Sequence, residues 1–408
     1  MDVPDLRPIS RINAAYLRRI RLLLTADMRR LSGVQYIHQL PKWPDFHWDD
    51  ARLLPLLAQA RHQQGMLLGG MQALGFRFQQ QSSLANLAPE VVKSSAVEGT
   101  VFDPASVRSS IARRMGLPPE RPGPSGRDIE GAVEMILDAT QHYDQPLTED
   151  RLLGWQAALF PAGRSGVRRI AVGQWRTPEM DPMQVVSGPI SQERIRRKHI
   201  HFEAPAAARI PGEVAAFLKW FESPGETDPV LGAGVAHLWF VTIHPFEDGN
   251  GRISRAVADM ALARAEGSGH RFYSMSAQVE QEKQDYYRAL ETAQKGNLDI
   301  TDWLEWFIGC FARAVSDASG SLNRIMAKAA RWERINAMFE PNERQRKVIN
   351  ALLDGGENEF STSRYAKLAG TSLDTALRDI TQMTRAGVLT PSESGGRSRK
   401  YALGFNEA

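Results

Sequence analysis

Reactive side chains crowd into twelve consecutive residues, His244-Pro245-Phe246-Glu247-Asp248-Gly249-Asn250-Gly251-Arg252-Ile253-Ser254-Arg255. His244 can take a proton near neutral pH. Asp248 offers a hard carboxylate to a divalent cation. Gly249 and Gly251 let the backbone approach a ligand closely, and Arg252 and Arg255, three apart, bring fixed positive charge to one helical turn. Base, metal ligand, anion cradle and cations in one run describe chemistry on a phosphate, a phosphoryl-type transfer.

The flanks say how such a run is held. Val235-Ala236-His237-Leu238-Trp239-Phe240-Val241-Thr242-Ile243 is apolar and helical in character, and Ala256-Val257-Ala258-Asp259-Met260-Ala261-Leu262-Ala263 is helical again. Gly249-Asn250-Gly251 therefore falls where a loop becomes a helix, and the amides that open a helix lack intrahelical partners and favour anions. A Gly-Asn-Gly alone is an ordinary turn and a lone histidine is usually structural; the joint spacing carries the signal.

The run is similar at every defined position to the Fic motif, His-x-Phe-x-Asp/Glu-Gly-Asn-Gly-Arg-x-x-Arg. The chain resembles Fic-domain protein adenylyltransferases. That resemblance implies a mainly α fold: a Fic helical core with a small β-hairpin flap. It implies transfer of AMP from ATP to a Tyr, Thr or Ser hydroxyl of a target protein. His244 would be the general base and Asp248 the Mg²⁺ ligand. The amides of Gly249, Asn250 and Gly251 would hold the α-phosphate and Arg252 the β- and γ-phosphates, with Phe246 and Arg255 completing the nucleotide set.

Upstream, Ser94-Ser95-Ala96-Val97-Glu98-Gly99 reads as a short helix capped by Gly99, with Glu98 in its last turn. An acid there opposes the helix dipole and calls for an outside cation. The stretch is similar to the Fic inhibitory motif, Ser/Thr-x-x-x-Glu-Gly/Asn. The resemblance implies that Glu98 pairs with Arg255 across the γ-phosphate position, restraining the enzyme from the N-terminal side. The same carboxylate could position water to remove AMP.

Composition bounds the rest. A chain of 408 residues has room for two or three domains, and 42% hydrophobic with 24% charged residues is a globular balance. One cysteine, Cys310, excludes an internal disulfide framework and a cysteine zinc cluster. No apolar run reaches membrane length and nothing resembles a secretion signal, so no membrane role is expected and a cytoplasmic location is. A net charge of +3 does not mark a nucleic-acid protein.

Residues 1–35 form an Arg-rich leader, Arg7 to Arg30, with no function assigned. Residues 36–115 resemble the small N-terminal region that precedes bacterial Fic domains and include the inhibitory helix. Trp43 to Trp48 is read as an arm packed on a neighbouring helix. The Fic domain is assigned to 127–315, with helices at 128–142, 148–160, 211–221, 278–296 and 299–314. Short strands are expected at 173–176, 183–188 and 199–203; the last two make the flap, along which a target segment docks by strand pairing. Glu193 and the basic run 194–198 lie at its tip. His199 and His201 alternate, but neither Cys nor clustered acid accompanies them, so no zinc site is expected. Tyr286 or Tyr287 could meet the nucleotide base or belong to the core.

A linking helix, 316–340, leads to 341–405, which resembles a winged helix with a two-stranded wing. Its second helix, 373–386, exposes Asp374, Thr375, Arg378, Asp379 and Gln382, and its wing carries Arg397, Arg399 and Lys400. Winged helices bind DNA or serve as interaction modules, and the sequence leaves both open. Two other readings stay beside the adenylyltransferase: a DNA-binding regulator with a nucleotide-sensing Fic core, and a Fic transferase using UTP or phosphocholine as donor. The family resemblance also implies a homodimer.

Overall fold

The computed structural model describes residues 35–73, 76–187, 199–354, 359–392 and 399–404. The leader before residue 35, the flap tip with Glu193 and residues 194–198, and Arg397 lie outside them. The fold is mainly α, and the chain divides into two compact units, residues 1–316 and 317–408.

The first unit is built around a helix that is apolar on every side. In α7 (Pro229–Ile243) all positions from Val230 to Ile243 are buried, so it forms the middle of the bundle and not a face of it. Asp228 caps it by accepting from the Val230 amide, and Pro229 sits in the first turn, where a missing N–H costs nothing. Antiparallel beside it runs α8 (Asn250–Glu266), entered through Gly249 and closed by Gly267, both left-handed. Helices α4 (Arg127–Gln141) and α5 (Glu149–Leu159, capped by Thr148) pack on α8, and α6 (Ile210–Glu222) packs on α7. Leu137, Trp155, Phe217, Phe240, Ile253 and Met260 meet in their shared core.

The N-terminal arm is held by the bundle. Trp43 and Phe46 stand edge-on to Trp239 of α7, with ring centroids 6.3 and 5.7 Å away, and Trp43 donates to Glu213 at 2.8 Å. Beyond it, α1 (Asp50–Gln72) is capped by Asp49. The segment read from sequence as inhibitory ends a long helix, α2 (Phe76–Val97), not a short one, and is followed by α3 (Pro104–Arg114). Buried polar contacts lock α2 in place: Glu90 accepts from the Ser276 amide at 3.0 Å and from Ser274 Oγ at 2.8 Å. These come from α9 (Met275–Gln281), its N-cap and its first turn.

Several expectations are corrected. Residues 173–176 form no strand, because the Arg176 side chain and amide are both spent on the loop around His244. Instead a two-residue ribbon, β1 (Arg164–Ser165) with β2 (Arg168–Arg169), follows α5. The flap base is a hairpin of β3 (Gln184–Ser187) and β4 (His199–Glu203), with a bulge between Val185 and Val186. The helix expected at 278–296 breaks at Glu282 into α9 and α10 (Lys283–Gln294). Helices expected on either side of residue 315 are one, α11 (Thr301–Met338), since no Pro interrupts it and Gly309 and Gly320 are carried inside it.

In the second unit Ile335, Val348, Phe360, Tyr365, Ile380 and Leu389 share a separate core. Its elements after α11 are α12 (Glu343–Leu353), β5 (Phe360–Ser361), α13 (Thr362–Ala369), α14 (Leu373–Arg385), β6 (Leu389–Pro391) and β7 (Lys400–Leu403). The sheet has three strands in the order β5-β7-β6, one more than the wing read from sequence. Asp379, read as exposed, is buried and accepts from Tyr365 Oη at 3.2 Å and Arg344 Nε at 3.3 Å; Leu373 and Leu377 face outward instead.

Candidate active site

The turn from α7 into α8 brings the twelve-residue run together. His244 caps α7 in a left-handed conformation, φ 51°, which no other non-glycine among the described residues adopts. Its amide still donates to Phe240 O at 3.2 Å, while its carbonyl accepts from Arg176 Nε at 2.9 Å. Arg176 is buried, donates its own amide to Pro245 O at 2.9 Å and pairs with Asp181 at 2.8 Å. Nothing in the sequence marked it; it is a guanidinium spent on holding a strained turn.

The His244 ring contact fixes its chemistry. Nδ1 lies 3.1 Å from the Val241 carbonyl, which only accepts, so Nδ1 carries the hydrogen and Nε2 keeps its lone pair. Burial lowers the imidazole pKa to about 4, and the nearby charge of Arg176 adds to the shift. The ring is therefore neutral and able to accept a proton at pH 7.

Asn250 does more than contribute an amide. Its side chain accepts from Phe246 N at 3.0 Å and donates to Phe246 O at 2.9 Å, clamping the loop in both directions. Phe246 is fully buried, with Trp175 at 4.9 Å. Gly249, φ 92°, is required by its backbone, and a Cβ there would also meet Phe160 at 3.0 Å. Asp248 accepts from the Gly249 amide at 2.6 Å and from Ser165 Oγ of β1, and lies 3.8 Å from Arg252.

The two arginines are buried. Arg252 stacks its guanidinium 4.9 Å over the Phe160 ring, and its Nε has no hydrogen-bond partner. Arg255 donates to Ser94 Oγ at 3.0 Å, Ser94 O at 2.8 Å and Glu98 Oε1 at 2.8 Å, leaving Nη1 unpartnered. Burial works to lower its pKa, but Glu98 raises it on balance. Two orphaned guanidinium donors beside the first turn of a helix are a site for an anion.

Glu98 reaches that site from α2. Gly99, φ 82°, turns the chain just past the helix, and the Glu98 carboxylate comes to rest over Gly251. A Cβ on Gly251 would fall 2.1 Å from Glu98 Oε1, so only glycine admits this approach. Tyr287 donates from its hydroxyl to Val97 O at 3.1 Å, tying α10 to the end of α2. Tyr286 is core, with its hydroxyl 3.0 Å from His237 Nε2. A cavity of about 660 Å³ opens beside the site, lined by His244, Gly251, Glu98, Tyr287, Val185 and Val186 among others.

Residues 146–262 match the model of the Fic/DOC family and residues 36–117 that of a domain of unknown function, DUF4172. The protein adenylyltransferase Fic of Drosophila erecta is 30% identical over 281 residues, 65% of this chain and 50% of that protein. That of Drosophila sechellia is 30% identical over 162 residues, 37% of this chain and 32% of that protein. This chain thus spans about a third to a half of the length of these relatives. A Fic family protein from Desulfovibrio desulfuricans G20 shares the fold, with a TM-score of 0.50 and 20% identity over 87% of this chain and 98% of that one. The chain carries a Fic/DOC domain, homologous to that of the Fic adenylyltransferases, behind an N-terminal DUF4172 domain.

Proposed function

We propose that the protein is a self-restrained adenylyltransferase that moves AMP from ATP to a hydroxyl side chain of another protein. The observation that carries this reading is a neutral His244, its Nε2 lone pair kept open, beside the buried, partly unpartnered donors of Arg252 and Arg255.

In this reading the target hydroxyl gives its proton to His244 Nε2 as its oxygen attacks the α-phosphorus. A P–O bond to the target forms, the bond between the α- and β-phosphates breaks, and pyrophosphate leaves. The amides of Asn250 and Gly251, with Arg252, hold the phosphate charge that spreads in the transition state, and that of Gly249 joins them once Asp248 turns to a metal ion. The Asp248 carboxylate keeps free lone pairs beyond its contacts to Gly249 and Ser165, which suits Mg²⁺, whose bound charge would neutralise the phosphates. Among the described residues the hairpin at the base of the flap has two strands, which leaves an edge to pair with an extended target segment.

Glu98 supplies the restraint. Its carboxylate fills the space above Gly251 and takes up Arg255, so a triphosphate meets negative charge where it needs positive. The test is transfer of α-labelled AMP onto protein by wild type, Glu98→Gly and His244→Ala with Mg²⁺. Label strongest in the Glu98 variant and absent without His244 is expected. Equal label in wild type and folded Glu98→Gly would remove the restraint, and label retained in His244→Ala would remove the base.

A further inference from the structure

We infer that His199, His201 and Glu291 form a binding site for a late first-row divalent metal ion, Zn²⁺ foremost, where the β3–β4 hairpin meets α10. The acid that faces both histidines is not a sequence neighbour; the fold supplies it from ninety residues away. Residues two apart on a strand share a face, and the two imidazoles do, with ring centroids 4.5 Å apart. Glu291 of α10 faces both: Oε2 lies 2.7 Å from His201 Nδ1 and Oε1 3.5 Å from His199 Nε2. One ligand atom from each residue lies within 4.8 Å of the others, the one such group among the described residues.

The spacing suits a tetrahedral ion. Zinc bonds of about 2.0–2.1 Å place neighbouring ligand atoms about 3.3 Å apart. The His199–Glu291 separation of 3.5 Å already matches. The His201–Glu291 hydrogen bond needs to open by about 0.6 Å to admit the ion. Two imidazole nitrogens and one carboxylate oxygen are a borderline-soft set that favours Zn²⁺ over Mg²⁺ and leaves a fourth position to water.

Two competitors occupy the site without metal. The Lys295 ammonium lies on Glu291 Oε1, and a proton bridges His201 Nδ1 and Glu291 Oε2. Binding the ion moves the His201 hydrogen from Nδ1 to Nε2, which frees the Nδ1 lone pair for the metal, and displaces the ammonium. His201 and Glu291 also line the cavity that holds His244, so the ion would fasten β4 to α10, two of that cavity's walls. The site shares no residue with the Asp248 loop.

The experiment is calorimetric titration of the full chain with ZnCl₂, without nucleotide or Mg²⁺. One saturable site is expected. It should weaken at least tenfold in His199→Ala/His201→Ala and in Glu291→Gln, tighten severalfold in Lys295→Ala, and persist in Asp248→Ala. His199→Ala alone, at a largely exposed side chain, guards against misfolding and should weaken binding with an unchanged circular dichroism melt. Equal uptake by wild type and His199→Ala/His201→Ala, or no saturable uptake by wild type, would overturn the site.

Discussion

Two helix ends meet at the candidate active site, and they are built in opposite ways. The N-terminus of α8 is made by neighbours in the chain: His244 to Arg255 supply base, carboxylate, amides and guanidinia within twelve residues. The C-terminus of α2 adds a single charged group, Glu98, and reaches Arg255 across 157 residues of sequence. One end attracts anions through its open amides; the other places an anion there already. In the proposed reading the chemistry is thus local, while its restraint hangs on the packing of a separate helix. A restraint of that kind can be lifted without touching the machinery.

The largest effect should come from the local end. His244→Ala removes the base and is expected to lower transfer of labelled AMP by about 10²–10⁴-fold. Next is the distant end. Glu98→Gly, read in the same assay, should raise transfer about tenfold, the size of a typical coupling between sites.

The pH dependence sharpens the contrast. A base acts only when unprotonated, and His244 is lowered to about 4, so kcat/KM should stay flat down through pH 6.5 and fall only as pH approaches 4. A break near 6.5 would show that the ring titrates as an ordinary exposed histidine. The smallest effect belongs to Ser94→Ala. It deletes one hydroxyl from the three groups that hold Arg255 on α2, so transfer should rise severalfold at most, less than in Glu98→Gly. A rise as large as that of Glu98→Gly would move the restraint from the carboxylate to the helix contact.

The same division governs what could be read in advance. The motif loop and its two helices were legible because their signal is contiguous: an apolar run, a Gly-Asn-Gly turn and a second helix. Asn250 shows the limit even there, since its side chain clamps Phe246, which spacing alone does not reveal. Arg176 was read as part of a strand, yet it grips the His244 and Pro245 carbonyls. Asp379 was placed on an exposed face by helical spacing, while Tyr365 and Arg344 draw it inward.

By itself the sequence determined the mainly α architecture, the turn that opens α8 and the residue types for phosphate chemistry, because capping, turn geometry and apolar periodicity act over a few residues. Only the tertiary structure decided which distant groups join them. Ser165 on Asp248, Phe160 under Arg252, Glu98 over Gly251 and Glu291 against His199 and His201 are such pairings. They form because packing the bundle buries their helices and strands against one another, and no local rule along the chain encodes that choice.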